Sequence, residues 1–186
     1  DGTWLAHALL ERHIAHSLVV ICDPAAVRIA ATAKIGATVR TKVGGYCGPL
    51  SGAPIERDFI LESLSDGRSV ETRATHGGFT SFDHGRTAVL RSAEGVTIVI
   101  TERRMVPFSL GQLRACGVEP AKFRVLVAKG VNAPIAAYRE ACRSFIRVDT
   151  PGVATADMTR LEYHHRRRPM FPFEPDCPWP VPGRVS

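Results

Sequence analysis

The sequence predicts a mixed α/β domain, built on a mixed sheet with flanking helices, an antiparallel meander in its middle and an extended proline-rich C-terminal tail. Near both ends of the chain, apolar runs of strand length alternate with helix-like segments. Between them, strand-like runs follow one another with only turns in between. From residue 169 onward six of eighteen residues are proline, which excludes a helix or a central strand there. We therefore expect one domain over residues 1–168 and a tail over 169–186.

The N-terminal third contains four predicted elements. They are a helix from residue 3 to about residue 13, a strand over 17–22, a helix over 25–35 and a strand over 37–43. The first strand is apolar throughout, which is typical of a strand buried on both faces. Asp23 and Pro24 have the residue types of an N-cap and a first helical position, and Gly36 is the expected helix end. Residues 37–43 alternate in polarity, which indicates a half-exposed strand.

The rest of the domain is predicted from turns and short apolar runs. Residues 44–54 have the composition of a loop, and Asp66-Gly67 is typical of a hairpin turn between strands at 55–64 and 69–74. A second hairpin joins 87–91 to 96–101. The later elements are a short helix after a Ser109–Gln112 capping box, a strand over 123–128, a helix from 134 to 143 and a strand over 145–148. The last strand–helix–strand unit predicts a parallel pair with a right-handed crossover.

Composition excludes some functions and leaves others open. No apolar run approaches the roughly 18 residues that a membrane-spanning helix needs, so we expect no membrane partner. The net charge of +6 is a modest basic excess that could favour nucleic acid or acidic ligands. Five scattered cysteines without CxxC spacing indicate reduced thiols, and thus a cytoplasmic protein. The chain does not start with Met, so we expect it to be part of a longer protein.

Histidines and cysteines offer only weak candidates for catalysis or metal binding. His13 and His16 could share a helix face, but no Cys, Asp or Glu nearby completes a metal site. His76, Asp83 and His84 in one glycine-containing loop form a second possible metal or catalytic set, for which an ordinary loop between hairpins is the simpler interpretation. No cysteine lies in a local pattern that would activate it. We therefore predict no catalytic residue and no metal ligand in this chain.

Two groups of cations are candidates for binding. Lys129 follows a buried strand and precedes a helix, the position at which open α/β sheets bind ligands. It could contact a carboxylate or an acidic substrate, or simply be a surface lysine in a turn. The densest positive run is His164-His165-Arg166-Arg167-Arg168, followed by an aromatic, proline-rich segment that contains Phe171. This run could contact phosphates, but no aromatic residues are interleaved with it, and docking to another domain fits it at least as well.

Several ordered stretches carry a family resemblance over nearly the whole chain. They are Asp1-Gly2-Thr3, Cys22-Asp23-Pro24-Ala25-Ala26-Val27, Ile35-Gly36-Ala37-Thr38-Val39, Val43-Gly44-Gly45, Ser51-Gly52-Ala53-Pro54, Leu64-Ser65-Asp66-Gly67-Arg68, Gly85-Arg86-Thr87-Ala88-Val89-Leu90, Thr101-Glu102-Arg103-Arg104, Val127-Ala128-Lys129-Gly130, Val148-Asp149-Thr150-Pro151-Gly152 and Arg167-Arg168-Pro169-Met170-Phe171-Pro172. In this order and spacing the chain resembles the C-terminal domain of the microcystinase C (MlrC) family of zinc metallopeptidases.

The resemblance implies a role beside a catalytic domain. In that family an N-terminal domain carries an Asp-x-His pair and a further His as zinc ligands, and this chain has no Asp-x-His. The resemblance thus implies a domain that is inactive alone, with zinc in the parent enzyme, a peptide as substrate and the N-terminal catalytic domain as partner. The resemblance also implies a His at the position where this chain has Asn132, so a role tied to that His does not carry over.

With this implied role, position and charge select the candidate residues. The substrate-facing candidates are Lys129, Asn132, Arg103 and Arg104. The candidates for docking to the partner domain are Arg166, Arg167, Arg168 and Phe171. Two alternatives remain open: a basic module that binds nucleic acid or an acidic partner, and a structural or interaction domain without catalysis. We do not expect nucleic acid to be the main partner, and whether the chain is itself an enzyme stays open.

Overall fold

The structure is a computed structural model that describes residues 2–74, 77–130, 132–152 and 157–177. The chain divides into two compact units, Asp1–Gly152 and Val153–Ser186. No helix among the described residues is long and apolar enough to span a bilayer. The predicted boundary at residue 168 stays a prediction, and the part of the predicted tail over 178–186 lies outside the described residues.

The first unit contains the sheet and its helices. Its strands are β1 (Ser17–Cys22), β2 (Thr38–Val43), β3 (Ile55–Ser65), β4 (Arg68–Val70), β5 (Ser81–Asp83), β6 (Thr87–Arg91), β7 (Val96–Thr101) and β8 (Val125–Val127). Its helices are α1 (Trp4–Glu11), α2 (Pro24–Ala30), α3 (Gly111–Arg114) and α4 (Ile135–Tyr138). Short 3-10 turns occur at Pro49–Ser51 and Pro120–Lys122.

The main sheet is mixed, as the sequence predicts. Its strand order is β2-β3-β6-β7-β1-β8, with β4 and β5 paired separately. The pairs β2–β3, β3–β6 and β6–β7 are antiparallel, whereas β1 runs parallel to both β7 and β8. The carboxyl ends of β7, β1 and β8 therefore lie at the same edge of the sheet.

Both faces of the sheet are covered, which explains why β1 is apolar from Leu18 to Cys22. Val19 and Ile21 pack with α1 and α2 on one face. Leu18 belongs to the opposite cluster, which contains residues of α3 and α4. In β2 only one face is buried, and the exposed and buried residues alternate as predicted. At roughly 1.5–3 kcal/mol for each large buried side chain, these two clusters account for much of the favourable free energy of folding.

Several local predictions are wrong. The turn at Asp66-Gly67 does not join a hairpin, because β3 pairs with β6 while β4 pairs with β5. Residues 145–148 form no strand, and with it the predicted crossover pair is lost. The second helix ends at Ala30, where the Thr32 hydroxyl donates to the Ile29 carbonyl and competes with helical bonding. The helix predicted over 134–143 is confined to one turn, α4.

Asp23 caps α2 and also holds the loop that follows β2. Its Oδ1 accepts from the amides of Ala25 and Ala26 at 3.0 and 2.9 Å, and its Oδ2 accepts from the Gly44 amide at 2.8 Å. Replacing Asp23 by alanine should lower the free energy of unfolding by about 2 kcal/mol, because it leaves buried donors unpaired. Urea unfolding measures this loss. Asp23→Asn, which keeps one acceptor oxygen, should lose about half as much; equal stability of both variants and the native chain would contradict the assignment.

The second unit is small and centred on Arg166. Its described residues include one 3-10 turn, Met158–Arg160. The Arg166 guanidinium donates to both carboxylate oxygens of Glu174 at 2.8 and 2.5 Å and lies 4.4 Å from the centre of the Phe173 ring. Tyr163 packs edge-on against Phe173. The bidentate ion pair holds the pKa of Glu174 at about 2.

Candidate functional site at the carboxyl edge of the parallel strands

The edge where β7, β1 and β8 end is covered by the loop over residues 44–54. The Tyr46 hydroxyl donates to the Cys22 carbonyl at 2.7 Å, and Thr3 Oγ1 donates to the Ala53 carbonyl at 2.8 Å. Trp4 Nε1 donates to the Leu50 carbonyl at 3.0 Å. These bonds join the start of α1 to the loop, so that the chain enters the domain beside the carboxyl ends of the strands.

Lys129 lies at this edge, directly after β8. A methyl group placed on Gly2 would lie 3.5 Å from Lys129 Nζ, so the ammonium group is next to the start of the chain. Lys129 is at the surface, yet the surrounding protein withdraws water from its ammonium group, and this desolvation lowers its pKa. The nearby positive charge of Arg104 lowers the pKa further, while Cys22 and Cys47 act in the opposite direction.

Lys129 and Arg104 form a positive patch at this edge. Neither side chain forms an ion pair or a hydrogen bond with any residue in the described part of the chain. Two neighbouring cations repel each other, and an anion that binds between or beside them relieves this repulsion. The patch is therefore suited to a carboxylate or another negatively charged group.

Tyr46 adds an aromatic group to the same edge. Tyr46 is 54% exposed, but loss of water around its hydroxyl, together with the neighbouring Cys22 and Cys47, raises the pKa of Tyr46 to about 12. The hydroxyl therefore stays protonated and donates to the Cys22 carbonyl. The tyrosine also lines a groove of about 780 Å³ between α2 and β2. Sequence reasoning missed Tyr46, because an aromatic residue in a glycine-rich loop gives no local signal of what it covers.

The other two substrate-facing candidates, Arg103 and Asn132, bind other side chains of this chain. Arg103 Nη1 lies 2.7 Å from Asp83 Oδ2 in an ion pair that joins the end of β7 to β5. Asn132 Oδ1 accepts from Arg147 Nη2 at 3.1 Å. Both side chains therefore have protein partners, unlike Lys129 and Arg104. Their roles toward a substrate stay predictions, and the structure offers Lys129 and Arg104 as the stronger pair.

His84 is a buried structural residue with a fixed tautomer. Gln112 Oε1 accepts from the Ser109 amide at 3.1 Å, which orients the Gln112 amide so that its Nε2 faces His84 Nε2 at 3.0 Å. Because Gln112 Nε2 can only donate, His84 Nε2 must be the unprotonated acceptor. Burial lowers the pKa of His84, against the raising effects of the Gly67 carbonyl and the Asp83 charge.

This arrangement predicts a loss of stability in mild acid. The folded pKa of His84 lies below its unfolded value of about 6.5, so the unfolded chain binds more protons, and stability falls as the pH drops through that value. We expect a slope of up to about 1.4 kcal/mol per pH unit below pH 6.5. Urea unfolding at pH 7.5 and 5.5 measures it. His84→Gln should reduce the slope, and an unchanged slope in that variant would assign it to other groups.

The two histidine sets considered for metal binding do not form sites in the described residues. No group of three or more His, Cys, Asp or Glu side chains is placed to hold a metal ion there. His13 and His16 both have positive φ, 51° and 56°, in the turn between α1 and β1. His76 lies outside the described residues. The prediction that this chain supplies no metal ligand is not tested further by the structure.

The docking candidates of the second unit differ in the exposure of their side chains. The Arg166 side chain is only 12% exposed, because Glu174 and Phe173 enclose it. Arg167 and Arg168 are exposed, as is Phe171 at 67%. Sequence reasoning missed Glu174, whose role depends on a contact across a turn between residues 166 and 174. The docking roles of these four residues stay predictions.

The fold and this edge define the chain as a mixed α/β domain with two exposed cations, Lys129 and Arg104, where its parallel strands end. The family model described as MlrC C-terminus matches residues 1–165, and the chain belongs to this family. It is 29% identical to Microcystinase C of Sphingomonas sp over 177 residues, which are 94% of this chain and 33% of that protein.

A solved structure supports the same assignment. The crystal structure of a putative metallopeptidase from Mesorhizobium sp. BNC1 superposes with a TM-score of 0.80 at 30% sequence identity. It matches 94% of this chain, which in turn covers 34% of that protein. This chain thus spans about a third of the length of both relatives, and the sequence-based family prediction is confirmed.

Proposed function

We propose that the chain is the C-terminal domain of a microcystinase C-like zinc metallopeptidase that hydrolyses short or linearised peptides. In this proposal the domain has no catalytic residue of its own. It packs on an N-terminal catalytic domain, helps to form the wall of the active site, and works in the cytoplasm. The proposal is supported by the family match and by relatives about three times as long as this chain.

The observation that carries the proposal is the position of the patch formed by Lys129 and Arg104. In a longer protein, the residues that precede Gly2 would enter beside Lys129. A preceding domain would then lie next to the carboxyl edge of the parallel strands, where its active site could face the two cations. Their positive charge would attract and orient the carboxylates of a peptide.

In this proposal the metal of the enzyme belongs to the other domain. A zinc hydrolase uses about three protein ligands, and no such cluster occurs among the described residues. When bound, zinc supplies a Lewis acid and an activated water. What this chain's residues supply is binding: Lys129 and Arg104 would hold a negative group of the peptide, while the loop over 44–54 would exclude water from one side.

The test starts from the coding sequence upstream of Asp1. We expect it to continue in frame into a domain with Asp-x-His and a later His. The extended protein should hydrolyse short peptides in a zinc-dependent way, and the 186-residue chain alone should not. An unrelated upstream domain, or an extended protein without zinc-dependent activity, would contradict the proposal.

A second candidate function rests on the exposed cations of the second unit. Arg167, Arg168, His164 and His165 are all exposed, so a basic module that binds nucleic acid or an acidic partner is the alternative. Binding of DNA or RNA at low salt, lost in the double variant Arg167→Ala and Arg168→Ala, would support it. Absence of binding at low salt would exclude nucleic acid as the partner.

A further inference from the structure

The groove between α2 and β2 runs along a free edge of the main sheet. β2 is the last strand on its side, and no strand among the described residues pairs with its outer edge. The groove is lined by Thr41, from the buried face of β2, and by Arg40 and Lys42, from the opposite, exposed face. A cavity that contacts both faces of an edge strand follows the outer backbone of that strand.

The backbone of β2 presents hydrogen-bonding groups at this edge. The Leu61 amide donates to the Ala37 carbonyl at 3.0 Å, and the direction of the backbone groups alternates along an antiparallel ladder. The amides and carbonyls of Thr38, Arg40 and Lys42 therefore face outward. The Lys42 carbonyl accepts from the hydroxyl of the preceding threonine at 3.2 Å. The other outward groups have no hydrogen bond within the described residues, so they can pair with a further strand.

A row of charges on the exposed face of the sheet ends at β2. Lys42 lies opposite Glu56 and Arg40 opposite Asp58 in the register of β2 and β3, at ion-pair distances of 3.3 and 3.5 Å. The side chains of Arg40 and Lys42 are still 62% and 69% exposed, and no described strand lies on their outer side. Opposite charges on neighbouring strands stabilise a sheet. A strand added outside β2 is therefore favoured when it carries carboxylates on this face.

The other face of an added strand would contact an apolar wall. α2 contributes Pro24, Ala25 and Ile29 to the groove. Tyr46 lines it as well, and Ile29 is 47% exposed, so covering this wall with apolar side chains is favourable. β2 has six residues, about 20 Å at roughly 3.3 Å per residue. The groove thus suits a short extended peptide in which apolar and acidic residues alternate.

We propose that β2 binds a short peptide as an additional strand, with carboxylates beside Arg40 and Lys42 and apolar side chains against Ile29. The peptide is a substrate of the enzyme in the proposed function, and its assignment as a substrate rests on that function. Strand addition binds the main chain and so accepts many sequences, which suits an enzyme that hydrolyses short peptides. Tyr46 both lines the groove and bonds to the end of β1, so a peptide on β2 lies next to the candidate site.

A second copy of the chain is a poorer occupant of the same edge. The outward face of β2 carries Thr38, Arg40 and Lys42 and no acidic residue. Pairing β2 with its own copy would place the cations of both copies next to one another, which destabilises a strand pair. An acidic peptide has the complementary charge.

Titration of the isotope-labelled 186-residue chain with peptides, followed by NMR, tests the added strand. The reference probe is acetyl-Glu-Val-Glu-Val-Glu-Val-amide, and two further probes are N-methylated either on every Glu or on every Val. Because the amides of an extended peptide point alternately toward β2 and away from it, one methylated probe should bind at least tenfold more weakly than the other. The amide signals that shift should be those of β2 and α2.

Matched charge variants test the role of the two cations. The double variant Arg40→Gln and Lys42→Gln should weaken binding of the reference probe about threefold to tenfold, as expected for two exposed ion pairs. Arg167→Gln and Arg168→Gln make the same charge change in the second unit and should leave the affinity unchanged. A probe with Lys in place of Glu should bind the native chain at least tenfold more weakly than the reference probe.

Several outcomes would overturn the added strand. They are no binding of the reference probe, equal binding of the two methylated probes, and signal shifts confined to residues outside β2 and α2. Self-association of the free chain through β2 would assign the edge to a second copy instead. The titration needs neither zinc nor another domain, so a negative result leaves the proposed function standing.

Kinetics of the extended protein test the assignment as a substrate. The double variant at Arg40 and Lys42 should raise KM for the acidic peptide about threefold to tenfold. If the extended protein has zinc-dependent activity but this KM is unchanged, the peptide bound at β2 is not its substrate, and this part of the proposal is wrong. If the peptide binds to β2 but zinc-dependent activity is absent, the proposed function fails and the binding edge stands.

Discussion

Replacing Gly67 by alanine is expected to destabilise the domain by about 3 kcal/mol or more. Gly67 has a φ of +70°, and a Cβ atom there would lie 2.0 Å from the Gly85 carbonyl oxygen and 2.8 Å from Thr87 Oγ1. Its own carbonyl accepts from the His84 amide at 3.0 Å. The turns that follow β3 and β5 are in direct contact at this point, so alanine must both strain the backbone and push the two turns apart.

A second glycine distinguishes the cost of backbone strain from the cost of pushing the two turns apart. Gly36 also has a positive φ, +88°, but a Cβ atom there would have nothing within 4 Å. Gly36→Ala should therefore lose only the cost of the left-handed backbone, about 1 kcal/mol. Denaturant unfolding of both variants, followed by circular dichroism, gives the comparison. Similar losses in the two variants would mean that the contact between the turns relaxes freely and contributes nothing specific.

The wrong hairpin prediction at Asp66-Gly67 illustrates which part of the fold the sequence could predict. The elements β1, α2 and β2 were predictable because their signals are local: an apolar run, a capping residue and an alternation. Asp66-Gly67 carries an equally good local hairpin signal, yet β3 pairs with β6 instead. Strand pairing is decided by packing between distant segments, which local turn chemistry does not report.

The missing strand at 145–148 has a similar cause. Phe145, Ile146 and Val148 have the composition of a strand, but they are exposed and pair with no described strand. A strand needs a neighbouring edge, and the pattern of one segment does not reveal whether such an edge is available. The neighbour of β8 is β1, which precedes it by about a hundred residues in the chain.

Of the candidate site, too, only a part could be predicted from the sequence. Lys129 could be predicted from its place after a buried strand, because the ends of parallel strands are where such sheets bind ligands. Tyr46 could not, since its contact with the Cys22 carbonyl becomes evident only when the loop over 44–54 is folded over the end of β1. Arg103 shows the converse: charge and position suggest a binding residue, but Asp83, distant in sequence by twenty residues, forms an ion pair with it.

In the extended protein of the proposed function, Lys129→Met should lower kcat/KM for a peptide with a free carboxylate by about 10- to 100-fold. The ammonium would pair with the carboxylate in both the bound substrate and the transition state, so most of the loss should appear as a higher KM. Methionine keeps the length and apolar contacts of the lysine stem and removes only its charge. Steady-state kinetics at fixed ionic strength measure the effect, and Lys34→Met is the matched control.

The C-terminal amide of the same peptide decides how Lys129 acts. If Lys129 binds the carboxylate, the amide should be a poor substrate of the native protein, and Lys129→Met should scarcely change its kcat/KM. If Lys129 instead supports the contact between the domains, the substitution should impair both peptides equally and lower kcat as well. Only a direct contact can distinguish two substrates that differ in one charged group. An equal loss for both peptides would therefore contradict the substrate-facing role of Lys129, even if the extended protein shows zinc-dependent activity.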